Sequence, residues 1–287
     1  MTVKKTDGPL LFWLRWATIF VFLGRAWQHL YWDAPFRALL WDESMMSGLV
    51  SGLGWSWSDW VTSATVNANI DLAVRGFGVL YVVAAAAAYL LQPGRRWASV
   101  VLWLGTLGLV FLSFLYTKEK FYHLGQFFEY SLQFGSPLLL LWLNGLRRVS
   151  LPLEWAIRLA IALTFTCHGL YAFGFYPRPV NFTSMVMDGL WLSQENAIIL
   201  LEIAGTLDFI VAFFLLLPWR PGARVALAYC VIWGGLTAFA RIWSYLWVSP
   251  LDTVLLQWVH ESVYRWPHFL VPLGALLAGL PLPRRRS

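Results

Sequence analysis

Apolar residues in this chain come in long blocks, and polar residues are pushed into the gaps between them. The blocks run roughly over 10–31, 70–92, 97–117, 122–145, 154–175, 196–217, 224–247 and 261–282. At about 1.5 Å rise per residue, a helix of about 20–24 residues crosses ~30 Å of hydrocarbon. Helices are the only open-chain way to satisfy the backbone there. The pattern predicts an all-α polytopic membrane protein with eight transmembrane helices.

The gaps predict an orientation. Lys4-Lys5, Arg95-Arg96, Arg147-Arg148, Arg220 with Arg224, and Arg284-Arg285-Arg286 fall at the start, after every second block and at the end. The alternate connectors hold only Arg37, Lys118, Lys120 and Arg178, together with Asp33, Asp42, Glu43, Asp59, Glu119, Asp188 and Asp252. Basic residues collect on the cytoplasmic side of a membrane, so both termini are expected there. Pro93-Gly94 and Pro221-Gly222 mark tight turns on that side. Two outer connectors are long, 32–69 and 176–195. The first carries Phe36, Leu39, Leu40, Trp41, Trp55, Trp57 and Trp60, so it is expected to lie along the outer interface or fold back over the bundle.

Composition sharpens this picture. Of 287 residues, 59% are hydrophobic and 13% charged, about half of what a soluble domain carries. The 19 Trp suit both interface positions and packing between helices. The net charge of +6 does not point to nucleic acid, because the basic residues are short clusters and form no stripe. Cys167 and Cys230 sit in separate apolar blocks with no CxxC pair, which argues against a disulfide framework, a zinc site or a dithiol centre. The first block is too long for a cleavable signal peptide, carries Arg15 and Arg25, and lacks a small-residue cleavage site.

The two halves read as copies. His29-Leu30-Tyr31 ends the first block and His168-Gly169-Leu170-Tyr171 the fifth. Each is followed by Pro and Phe, in Ala34-Pro35-Phe36 and in Pro177-Arg178-Pro179 with Phe182. Arg75-Gly76-Phe77-Gly78 lies opposite Glu202-Ile203-Ala204-Gly205, and Trp103-Leu104-Gly105 opposite Trp233-Gly234-Gly235. Glu129 and Gln133 lie opposite Glu261 and Arg265 at the same spacing. The expectation is two tandem four-helix repeats in the same orientation, residues 1–150 with the long outer loop 32–69, and residues 151–287.

A four-helix unit with a long outer connector after its first helix resembles the DoxX-like superfamily of bacterial membrane proteins. The second half carries the resemblance, over about 100 residues. Its carriers are Arg158, the His168-Gly169-Leu170 run, Glu202-Ile203-Ala204-Gly205-Thr206-Leu207-Asp208 and Thr237-Ala238-Phe239-Ala240-Arg241. It implies a bacterial inner-membrane location. The family is functionally mixed: some members are implicated in quinone-linked sulfur oxidation, and others are membrane partners of redox or secretion machinery. Members that handle thiols carry cysteine pairs, which this chain lacks. A vitamin-K-carboxylase-like membrane domain is a more distant resemblance. It would imply a catalytic Lys within the membrane, and here every Lys lies outside the apolar blocks.

Ionisable groups in hydrocarbon cost roughly 2.5–3.5 kcal/mol each on insertion scales, so they call for partners or a function. Counting along each helix places Arg25, His29, Glu129, His168, Glu202, Arg241, Glu261, Arg265 and His268 toward the outer side, with Asp208 nearer the middle. Toward the inner side stand Arg15 and Arg158, which can snorkel. Glu202, Arg241, Glu261, Arg265 and His168 are expected to converge in one network. Asp208, His29 and Glu129 complete the candidate ligand-binding set. Two roles fit: a buried ion-pair set that only holds helices together, or a chamber open to the outside that takes a polar head group, a quinone ring or an anion. His29 and His168 correspond across the repeat, which raises haem ligation, whereas a hydrogen-bonded structural role is the commoner use. No HExxH spacing, Gly-rich phosphate loop or nucleophile elbow is present, so no metal site is expected, no catalytic motif is evident and no cofactor is named. Three functions remain open. One is a ligand-binding or accessory subunit of a membrane complex, with a lipid or quinone and a membrane or periplasmic protein as partners. The second is a small-molecule transporter. The third is an enzyme using Glu202 or Glu261 beside Arg241.

Overall fold

The computed structural model describes residues 7–146 and 149–281. The basic clusters Lys4-Lys5, Arg147-Arg148 and Arg284-Arg285-Arg286 lie outside the described residues. Every regular element among the described residues is a helix. In chain order they are α1 (Asp7–Tyr31), α2 (Arg37–Leu40), α3 (Glu43–Gly52), α4 (Trp57–Thr62), α5 (Ala64–Leu90), α6 (Arg96–Glu119) and α7 (Leu124–Glu129). Then come α8 (Ser131–Asn144), α9 (Leu151–Phe173), α10 (Val180–Leu190), α11 (Gln194–Leu216), α12 (Arg220–Tyr245), α13 (Leu251–Val263) and α14 (Pro267–Leu277). Six of these, α1, α5, α6, α9, α11 and α12, are long and apolar enough to cross a membrane. Their outward faces carry large apolar side chains such as Leu72, Leu107, Phe213, Val225 and Ile232, the surface a hydrocarbon solvent favours.

Local chemistry sets the ends of several helices. Ser150 accepts a hydrogen bond from the Leu153 amide and Pro152 sits in the first turn, so α9 begins there. It stops at Gly174, whose φ of 93° lies in the left-handed region that glycine enters without penalty. Ser193 caps α11 by accepting from the Asn196 amide. Ser63 likewise caps α5, which starts six residues ahead of its apolar block because polar Asn67 and Asp71 are held by Arg37.

The fourth apolar block is in two pieces, where a single helix is the simple expectation, and the eighth holds only the last three residues of α13, which begins ten residues ahead of it in the expected outer connector. Block 122–145 breaks at Tyr130, between α7 and α8. The Leu132 amide donates to Thr164 Oγ1 at 3.0 Å, outside the helical ladder, so a side chain on α9 takes over the hydrogen bond that would have joined the pieces. The eighth block breaks at Tyr264–Trp266, just ahead of Pro267, which has no N–H to continue a helix. These breaks matter because they re-aim Glu129, Glu261, Arg265 and His268.

The long segment after α1 folds back over α5 and α6. Phe36 is buried and meets Phe77 and Phe111 edge-on at 5.2 and 5.6 Å. Leu39, Leu40 and Trp60 pack on the same small core with Val66, Ile70, Val74 and Leu115. The Trp60 indole N–H donates to the Leu40 carbonyl at 2.9 Å, and Lys118 donates to Asp42, pinning the start of α3 to the end of α6.

Two helices organise the interior. α1 packs against α5, α8, α13 and α14, and α9 packs against α7, α8, α11 and α14. Segments from residues 1–150 and 151–287 are therefore interleaved. At the α9–α11 crossing a Cβ on Gly205 would lie 2.8 Å from the Gly169 carbonyl, so glycine there permits backbone-to-backbone approach. Arg15 donates to the last carbonyl region of α5, at Leu91 O and 2.9 Å. Arg158 does the same for α11, at Leu215 O and 2.5 Å and at Leu217 O, while also pairing with Glu154 at 3.2 Å. Both arginines thus satisfy helix-end carbonyls, a more demanding role than the snorkelling expected of them.

Candidate functional site

The break between α13 and α14 turns Glu261 and Arg265 toward α12. Glu261 Oε2 accepts from Arg241 Nη1 at 2.9 Å and lies 3.3 Å from Arg265 Nη1. Arg265 Nη1 also donates to the Glu261 carbonyl at 2.8 Å, and its guanidinium lies 4.7 Å from the centre of the Tyr264 ring. Two guanidinium groups therefore share one carboxylate. Arg241 is 5% exposed, while Glu261 and Arg265 are partly exposed, so the buried charge of Arg241 depends on Glu261.

On the neighbouring wall, His168 Nδ1 donates to Asp208 Oδ2 at 3.4 Å, and the Tyr229 hydroxyl donates to Asp208 Oδ1 at 3.1 Å. Asp208 is fully buried. Placing Asp208 on Nδ1 fixes the tautomer and ring orientation of His168 and leaves Nε2 for another partner. Phe182 of α10 packs on the same ring at 5.2 Å.

Arg241, Arg265, His168 and Phe182 line a cavity of about 420 Å³ between α9, α10, α11, α12 and α14, with Glu129 reaching in from α7. Its polar lining is Glu129, His168, Thr237, Arg241, Arg265 and His268, gathered against Trp233. The rest is apolar, including Phe182, Met185, Val186, Leu200, Leu236 and Phe239. A pocket with a few convergent polar groups and apolar walls is the usual form of a small-molecule site.

A second polar cluster centres on Arg25 of α1, and it is filled by the chain itself. Arg25 donates to Gln133 Oε1 from Nε at 3.0 Å and Nη2 at 2.7 Å, and to Gln28 Oε1 from Nη1 at 2.7 Å. Its guanidinium lies 3.7, 5.0 and 5.5 Å from the ring centres of Tyr264, Tyr130 and Tyr116. Gln28 Nε2 donates in turn to the Tyr116 oxygen at 2.6 Å. Tyr264 touches both Arg25 and Arg265, so the two clusters are neighbours.

The structure brings together most of the residues picked from the sequence. Arg241, Glu261 and Arg265 form one ion-paired set, and His168 and Arg241 line the same cavity. Asp208 joins through His168, and Glu129 through the cavity wall. Glu202 does not join. It is half exposed and pairs with Arg178 at 3.4 Å, because the connector before α10 folds back and Arg178 also donates to the Ala172 carbonyl at 3.0 Å. An acid–base site of Glu202 beside Arg241 is therefore not formed. His29 lies elsewhere, donating from Nδ1 to the Arg25 carbonyl at 2.7 Å with its ring edge-on to Tyr81 at 5.0 Å. Sequence reasoning misses Tyr229, whose apolar surroundings in the chain carry no sign of Asp208, and Tyr264, which meets Arg25 of a helix far away in sequence. Among the described residues no cluster of His, Cys, Asp and Glu could hold a metal ion. Compared with protein-family models, curated proteins and solved structures, the chain finds no match.

Proposed function

We propose that this chain is a polytopic membrane protein whose chamber binds an amphiphilic ligand, a lipid or a quinone-like molecule, as the ligand-binding subunit of a membrane complex. The observation that carries this reading is the 420 Å³ cavity, polar at Arg241, Arg265, His168 and His268 and apolar along α10 and α12. Its size falls within the roughly 300–1,000 Å³ of small-molecule sites. A purely structural ion-pair set would close on itself and leave no such space.

The proposal includes a topology. α7 with α8, and α13 with α14, serve as broken fourth and eighth spans, so residues 1–150 and 151–287 are tandem four-helix units of DoxX-like type. The parallel use of Arg15 and Arg158 to cap α5 and α11 supports the repeat. So does the packing of α1 on α13 and α14, matched by that of α9 on α7 and α8. The basic clusters support cytoplasmic termini in the inner membrane, which places the chamber toward the outer leaflet. A periplasm-active reporter fused after Ser287 should stay silent, and a signal from it would overturn this orientation.

The binding reading is tested by solvent extraction of the purified full chain followed by mass spectrometry. The expected result is an amphiphile near one equivalent per chain, lost when Ala240→Phe fills the cavity. Equal, substoichiometric lipid in both proteins would count against it.

A further inference from the structure

We propose that the head of the ligand is an oxyanion, a phosphate or carboxylate, seated between Arg241 and Arg265, with its hydrocarbon leaving past α10 and α12. This rests on reading the chamber as an amphiphile site and adds the chemical class of the occupant. Arg241 and Arg265 both direct an Nη1 at Glu261, at 2.9 and 3.3 Å. Among the described residues neither has a second ion-pair partner. A guanidinium offers five N–H donors in a planar fork, so one shared carboxylate leaves donors on both for a second acceptor group. Glu261 is not itself part of the cavity lining. Glu129 is, and it takes a hydrogen bond from Gln126 at 3.2 Å and has no ion pair with either arginine.

An independent observation points the same way. His268 lines the cavity, is 6% exposed, and its Nε2 has no hydrogen-bond partner among the described residues. A buried ring nitrogen without a partner is costly, and a phosphate or carboxylate oxygen, or the hydroxyl of its acid form, would satisfy it. The Arg25 cluster shows the contrast, because there glutamine oxygens already occupy the guanidinium edges. The exit for the tail is equally specific. Leu236, Phe239 and Trp243 line the cavity and are also exposed on the outside of the bundle, so the apolar wall opens toward hydrocarbon.

The test uses the full chain in phosphatidylcholine nanodiscs doped with dioleoyl phosphatidate or with dioleoylglycerol, which has the same tails and a neutral head. Retention after release into detergent is read by native mass spectrometry. A charge-assisted head contact should favour phosphatidate by about tenfold or more. Arg241→Gln should erase most of that preference, and Arg241→Lys should keep part of it. If Arg241→Gln does not fold, Ala240→Phe serves in its place and should abolish retention of both lipids. Equal retention of the two lipids, both lost in Ala240→Phe, would overturn the oxyanion head while leaving the chamber reading intact. No lipid of any kind, phosphatidylcholine included, retained above the level found with Ala240→Phe would overturn the chamber reading itself. Inorganic phosphate displacing phosphatidate would show a small free oxyanion as the occupant and overturn the amphiphile.

Discussion

Arg25 and Arg241 are both buried guanidinium groups, one over the Tyr264 ring and the other paired with Glu261, yet their surroundings differ in kind. Arg25 is enclosed by two glutamine oxygens and three tyrosine rings, a shell that the chain supplies in full. Arg241 shares a single carboxylate with Arg265 and borders 420 Å³ of space. Amides and rings close a site around a cation without adding charge. A carboxylate divided between two cations holds helices together and still leaves donors pointing outward. The first arrangement is a strut, and the second joins structural and binding roles in the same residues.

The comparison can be broken most sharply at Glu261. Glu261→Gln strands two guanidinium groups near each other, and stability should fall by about 3–5 kcal/mol, as for other broken buried pairs. Reversible unfolding in mixed micelles would measure it. Adding Arg241→Met should recover part of the loss, because one of the two stranded charges leaves. A double variant that loses the sum of both single effects would mean the three groups are not coupled.

Arg25→Met should rank next, at about 2–3 kcal/mol, since it removes charge-assisted hydrogen bonds to two glutamines. It should leave the preference for phosphatidate unchanged, whereas Arg241→Gln should erase most of it at a smaller stability cost because Glu261 keeps Arg265. Loss of that preference in Arg25→Met would erase the distinction between strut and site.

The helix crossings extend the contrast between the two halves. Gly205→Ala pushes a Cβ to 2.8 Å from both the Gly169 oxygen and the Phe173 nitrogen, which are backbone atoms that cannot step aside. Gly78→Ala meets the end of the Leu30 side chain at 2.8 and 2.9 Å, which can rotate, with His29 Cβ next at 3.1 Å. The same unfolding measurement should show about 1–3 kcal/mol for Gly205→Ala and clearly less for Gly78→Ala. The reverse order would mean that α9 and α11 yield more readily than α1 and α5.

How much of this was legible in the sequence depends on the kind of contact. The apolar blocks mark helices locally, and the shared depth of Arg241, Glu261, Arg265 and His168 signals a common site. Depth alone groups Glu202 with them. Its true partner, Arg178, sits in a connector whose path back over α11 leaves no periodic trace. The break at Tyr130 is equally silent, because it is made by Thr164 of another helix. Interleaving of α1 with α13 and α14 is a long-range choice among apolar faces that look alike in sequence.

The smallest effect lies outside the helices long and apolar enough to cross a membrane. A hydrogen bond from Lys118, aided by Ser44, holds the Asp42 carboxyl down to about 2. A depressed folded value means the anchor contributes above the ordinary carboxylate range and is lost as pH falls through the folded value. Protection of the α3 amides, taken relative to their intrinsic exchange at each pH, should therefore stay constant from neutral pH down to about 5 and fall only in stronger acid. Asp42→Asn should loosen α3 already at neutral pH, and an unchanged exchange rate there would show that the Lys118 contact does not hold the segment.

The most direct measurement is an experimental density map of the full chain in a lipid nanodisc. The account predicts elongated non-protein density with its head between Arg241 and Arg265 and its tail running out past Phe239 and Trp243, and none beside Arg25. A chamber closed by Arg241 and Arg265 folding onto Glu129, with no density inside, would contradict it.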